Sequence, residues 1–178
     1  MTRIKRDPLL AIAQVIIALG IVLMIFVAAM MLIGLGALLT VGRAEVMTEL
    51  GDADAPVAAY WAVAGVLALL VGLFLVMLRF LLELNGIVKS VDRGDPFEPG
   101  NADRLSRMGW LAVAGYAVAV VISSIATWIK SVAGEAGKDI NVDIGLDGGG
   151  ILLILVLFIL ARVFRQGAAM REELEGTV

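Results

Sequence analysis

Residues 9–41 read LLAIAQVIIALGIVLMIFVAAMMLIGLGALLTV, thirty-three residues without a charge. An α-helix rises about 1.5 Å per residue and the hydrocarbon layer of a bilayer is about 30 Å thick, so about 20 apolar residues suffice to cross it. As one helix this stretch would measure about 50 Å, and the tilt needed to hide it exceeds the usual range of about 0–40°. Two courses are open to it. Either the helix ends near Gly34 and Gly36, or its last turns project beyond the membrane and need cover. Asp7-Pro8 marks its start, with Pro in the first helical turn. The run far exceeds the roughly 7–15 apolar residues of a cleaved signal peptide, so it reads as a retained span.

The rest of the chain repeats the pattern. Residues 55–78 and 108–129 are apolar and long enough to cross. Residues 151–161 form a shorter run, which reaches crossing length if it starts near Asp147 and ends near Arg165. A common ruler supports that extension: Trp61 to Arg79, Trp110 to Trp128 and Asp147 to Arg165 each span 18 residues. Asp147 suits a helix N-cap, and Arg162 can snorkel toward the headgroups. Of the 178 residues 61% are hydrophobic, and 20 more are Gly. A water-soluble chain of this length cannot hide that much apolar surface. The absence of Cys and His excludes thiol and imidazole nucleophiles, Cys/His zinc sites, disulfides and His-based switches.

The expected fold is all-α: an integral membrane, antiparallel four-helix bundle in a single domain over residues 1–178. Its spans lie at about 9–33, 56–78, 108–129 and 147–165, with a cytoplasmic loop at 79–107 and a cytoplasmic tail at 166–178. Orientation comes from the cations. Eleven Lys and Arg fall in the N-terminus, the loop and the tail, against three (Arg43, Lys130, Lys138) on the other side. By the positive-inside rule both termini are cytoplasmic. Nothing in the basic residues suggests direct nucleic-acid binding.

Small residues recur at four-residue spacing, as in Ala64, Ala68 and Gly72, and in Gly115, Ala119, Ser123 and Thr127. Such rows let helices approach closely in lipid, and Gln14, Ser123 and Thr127 can add interhelical hydrogen bonds. A face left unused within the bundle would suit a homodimer. No internal repeat and no mid-membrane carboxylate is present, so the usual machinery of ion-coupled transport is missing.

The loops carry the remaining signals. DINVDIGLD at 139–147 alternates apolar and polar residues, which reads as a short extracytoplasmic strand or hairpin able to cover the projecting end of the first helix. Asp139, Asn141 and Asp143 also match the start of a calcium loop, but Ile144 and Gly150 stand where Gly and Glu are needed. Residues 42–55 are acidic and suit a short helix or turn. The second long helix is expected to continue past the membrane as an amphipathic stalk through Val91, stopping at Gly94. Residues 95–100, DPFEPG, read as a turn, with Asn101 as the next N-cap and Phe97 as a plug against the inner ends of the helices. Glu83 is expected to pair with Arg162 or Arg165. The tail reads as a charged helix in which Arg171 and Glu175 are spaced for a pair.

Several of these residues together resemble a known family. Gly94, Pro96 and Phe97, then Asn101, Arg104 and Leu105, are followed after a span by LARVFRQG at 160–167, with Arg165 and Gly167. The chain closes on EELEGTV, with Glu172, Glu173, Thr177 and Val178. This pattern is similar to that of small bacterial four-helix membrane proteins classed as domain of unknown function 2975, whose members commonly end in Glu-Leu-Thr-Val. The resemblance implies a location in the bacterial cytoplasmic (inner) membrane. It also implies a regulatory partnership with a small helix-turn-helix regulator, since the genes are often neighbours. These twelve residues would form the contact face.

No nucleophile–base pair, phosphate loop or metal spacing accompanies the carboxylates Glu83 and Asp103, so the expected role is non-enzymatic, without a cofactor or metal. A regulatory or interaction protein is the first reading. A small transport or channel protein, or one that binds a lipophilic ligand, is the alternative.

Overall fold

The computed structural model describes residues 8–52, 56–132 and 148–175. Five helices make up the described chain: α1 (Pro8–Leu39), α2 (Arg43–Asp52), α3 (Val57–Asp92), α4 (Pro99–Val132) and α5 (Gly148–Glu175). There is no strand among the described residues, and the architecture is all-α. The alternating stretch at 139–147, Asp147 as a cap, and the tail's last three residues lie outside the described residues.

Four of these helices, all but α2, are long and apolar enough to cross a membrane. Their outward faces explain why. Leu9, Leu19, Ile33 and Phe26 on α1 are each more than 60% exposed, and α5 presents Ile151, Leu152 and Leu155 in the same way. Removing apolar area from water yields about 25 cal/mol per Å², so such faces are stable only against lipid. The chain is a multi-pass membrane protein.

Contacts divide the described residues into two units. The first takes α1 up to Met24, α3 from Val76, α4 up to Ala114, and α5. Its core is Leu105, Met108, Leu157 and Ala161, with Phe80, Leu84, Ile87 and Phe164 packed around it. The second takes α1 from Ile25, α2, α3 up to Leu75, and α4 from Gly115. Small side chains dominate its interior: Ala28, Ala59, Ala64, Ala119 and Ala126 are all buried. Such residues let helix backbones come close, but of the rows spaced by four only Ala64 and Ala119 are buried: Ala68 and Thr127 are exposed, and a Cβ on Gly72 would meet nothing within 4 Å.

The first helix takes the longer of its two expected courses and runs to Leu39. Its final carbonyls, which have no partner inside a helix, find partners beyond it. Thr40 reaches the Gly36 carbonyl with its amide and its hydroxyl, the Gly42 amide reaches Ala37 at 2.8 Å, and the Tyr60 hydroxyl donates to Leu38 at 2.9 Å. Tyr60 is wholly enclosed.

Two expectations are corrected. Thr127 does not bridge helices, because its hydroxyl donates to the Ser123 carbonyl of its own helix, a common outlet for a hydroxyl in an apolar span. Asn101 is not an N-cap. Helix α4 opens at Pro99, whose fixed φ and missing N–H suit the first helical position, and the Asn101 amide closes the first turn on the Glu98 carbonyl at 2.8 Å. The turn is therefore shorter than 95–100.

Candidate functional site

The candidate residues gather in the first unit, where the polar ends of α3 and α4 and the C-terminal half of α5 meet. Helix α3 runs on to Asp92, well past its apolar stretch, as the stalk pattern predicts. It stops at Gly94, whose φ of +84° is one that a side chain resists. The Gly94 amide reaches Val91 and the Asp95 amide reaches Ser90, which together form a Schellman closure. That closure throws the chain back toward α3 within a few residues.

Asn101 sits at the centre of this junction, with no exposed surface. Its side-chain amide donates to the Ser90 hydroxyl at 2.6 Å and to the Pro96 carbonyl at 3.0 Å. Its oxygen accepts from Arg104 at 2.9 Å. Ser90, equally buried, passes its own proton to the Ile87 carbonyl. One side chain therefore ties the end of α3, the turn and the start of α4 together. No buried side-chain polar atom among the described residues lacks a partner, which is the condition under which a buried polar network fixes one arrangement.

Arg104 lies across Gly86. A Cβ there would stand 2.7 Å from the Arg104 Nε, so a glycine is needed for the guanidinium to lie against α3. A second glycine does the same for Phe97, whose ring sits where a Cβ on Gly167 would fall, at 2.7 Å. Phe97 also packs against Phe164 with ring centres 5.4 Å apart, yet it stays 41% exposed. It is thus anchored on one face and open on the other.

Ion pairs fasten α5 to this platform. Arg165 meets Asp103 at 3.2 Å and Arg171 meets Asp95. Both pairs are solvated, so they contribute registration more than stability. Arg93 and Glu98 form a further pair across the turn at 2.8 Å.

Glu83 corrects another expectation. It does not pair with Arg162 or Arg165. Its carboxylate is 6% exposed, and its Oε1 accepts from Arg79 at 2.8 Å and from Arg107 at 3.2 Å. Arg79 lies one turn earlier on the same helix and Arg107 stands on α4, both nearer than α5. Arg171 likewise pairs across to Asp95, while the side chain of Glu175 lies outside the described residues.

Of the twelve candidate residues, Gly94, Pro96, Phe97, Asn101, Arg104, Leu105, Arg165 and Gly167 belong to this one cluster. Asn101 and Leu105 are buried and support the surface from beneath. Glu172 and Glu173 continue outward along α5, exposed. Thr177 and Val178 lie outside the described residues. Sequence reasoning missed Ser90, Gly86 and the double pairing of Glu83. Ser90 carried a signal: it falls three residues after Ile87, a polar group on the apolar face of the stalk.

The model of a family described as protein of unknown function (DUF2975) matches residues 42–178, a stretch that includes every candidate residue. The chain belongs to that family. No curated protein and no solved structure matches it. Among the described residues no group of three acidic side chains gathers to hold a metal.

Proposed function

We propose that this family member is a non-enzymatic protein of the bacterial cytoplasmic membrane that binds a protein partner at its polar helical ends. The partner we favour is a small helix-turn-helix regulator held at the membrane, which would make the role regulatory. Phe97 is the observation that carries this reading. It is an aromatic side chain seated on Gly167 and Phe164, half open, on a turn whose backbone is fixed by a fully bonded buried Asn. Aromatic side chains, Phe among them, are enriched at protein interfaces. The turn and the adjoining parts of α4 and α5 carry charges of both signs, Arg93, Glu98, Arg165 and Asp103, which suits a polar rim.

The orientation that goes with this reading has both termini in the cytoplasm, by the distribution of Lys and Arg. The test is co-purification, from solubilised membranes, of a small helix-turn-helix protein co-expressed with the full-length chain. Wild type is expected to retain it, and Phe97→Asp is expected to lose at least tenfold of the capture while the chain stays folded at the assay temperature, its unfolding midpoint lowered by no more than a few degrees. Equal capture by wild type and Phe97→Asp, or no capture by wild type in any membrane condition, would overturn the reading.

A further inference from the structure

On another side of the first unit Arg79, Arg107, Trp110 and Leu111 line an open pocket of about 250 Å³. Arg79 is the first charged residue after the apolar run of α3, and Arg107 is the last before the apolar run of α4. The pocket therefore lies where headgroups begin, whichever way the chain threads. Both guanidinium groups converge on the one Oε1 of Glu83, at 2.8 and 3.2 Å, so their nitrogens lie close together. A single carboxylate balances only one of the two charges. Arg107 also donates its Nε–H to the Asp103 carbonyl at 3.3 Å, yet each arginine side chain is more than half exposed, at 55% and 54%, and each keeps further N–H donors that these contacts do not use. Below them the wall is apolar: Trp110 is 66% exposed and is fixed edge-on against Phe158 at 5.7 Å.

We propose that this pocket binds the headgroup of an anionic phospholipid, with the phosphate between Arg79 and Arg107 and the first part of an acyl chain along Trp110 and Leu111. Paired guanidinium groups are well suited to a phosphate because each offers parallel donors in a fixed fork. Basic pockets between spans at a membrane face bind anionic headgroups by this logic. Glu83 holds the two forks in place in advance, and its burial keeps it from competing for the outward donors. The open pocket of about 250 Å³ needs to hold only the phosphate and the lipid atoms next to it, the rest of the lipid lying along the exposed face. The proposal is independent of any protein partner at Phe97.

The test uses the full chain in neutral detergent, stripped of lipid, with thermal unfolding as the readout. Dioleoylphosphatidylglycerol is expected to raise the midpoint by several degrees. Dioleoylphosphatidylcholine, and inorganic phosphate at equal concentration, are expected to leave it unmoved. Arg79→Gln and Arg107→Gln each remove the surplus charge while leaving Glu83 one partner, and each should abolish most of the shift. Lys89→Gln, outside the pocket, should keep it. A second measurement needs no change in the pocket. In a chain carrying Trp61→Phe and Trp128→Phe, Trp110 fluorescence should be quenched more strongly by brominated phosphatidylglycerol than by brominated phosphatidylcholine. Equal stabilisation or equal quenching by the two lipids, a shift reproduced by phosphate alone, or full retention of the shift in both arginine variants would overturn the proposal.

Discussion

Asn101 illustrates how much one residue can decide. Its side chain makes three hydrogen bonds, to Ser90, Pro96 and Arg104, and the residue itself is shielded from water. Replacing it with Ala removes a partner from all three together. Leaving buried polar groups unpaired costs roughly 1–3 kcal/mol, so Asn101→Ala is expected to destabilise by about that amount in thermal unfolding of the detergent-solubilised protein. Asn101→Asp, which keeps an acceptor for Arg104 but loses the two donated bonds, should recover only part of it. Gly167 tests the neighbouring contact. Gly167→Ala puts a methyl where the Phe97 ring lies, and the ring, being half exposed, is expected to swing outward. Because the movable side chain yields, global stability should change by less than about 1 kcal/mol. Limited proteolysis at the 95–98 turn should nevertheless accelerate. Part of this was legible in the residues alone. The order Gly94, Pro96, Phe97, Asn101 announces a stop, a turn and a restart. Hidden was the direction of the Asn101 side chain, since Asn before a helix is so often a cap. Pro99 took the first helical position and left the Asn free to reach back to Ser90.

At the scale of elements, helix lengths come almost directly from counting. Uncharged runs near 20 residues became helices, and the stalk on α3 continued to Asp92 because Ile87 and Val91 keep one face apolar. Ends were harder to read. Gly34 and Gly36 looked like a stop, but glycine inside a span is tolerated when the backbone stays bonded, and here α1 passes both. Its true end depends on Tyr60, far off in sequence, whose hydroxyl satisfies the Leu38 carbonyl. Tyr60→Phe keeps the ring and deletes that bond. Loss of one such bond in a protected setting amounts to about 1 kcal/mol, and hydrogen exchange should rise in the last turn of α1 while the middle of the helix stays protected.

For the whole molecule, composition and charge speak loudest. Long uncharged stretches require lipid, and their exposed Leu, Ile, Val and Phe side chains have no other cover among the described residues. Reporter fusions at residue 1, within 79–107, and at residue 178 are expected to report the cytoplasm, and a fusion near residue 50 the opposite side. A cytoplasmic signal at residue 50 would reverse the topology. Chemistry is much less legible at this scale than architecture. A pairing such as Glu83 with Arg107 joins residues 24 apart, and only packing of α3 on α4 reveals it. Arg165 and Arg171, by contrast, bind α5 to Asp103 and Asp95 through water-facing pairs. Ionic screening shortens from about 10 Å at 0.1 M salt to about 3 Å at 1 M. The polar grip on α5 therefore varies with the electrolyte around it, slackening in brine while its apolar packing through Leu157 and Ala161 holds.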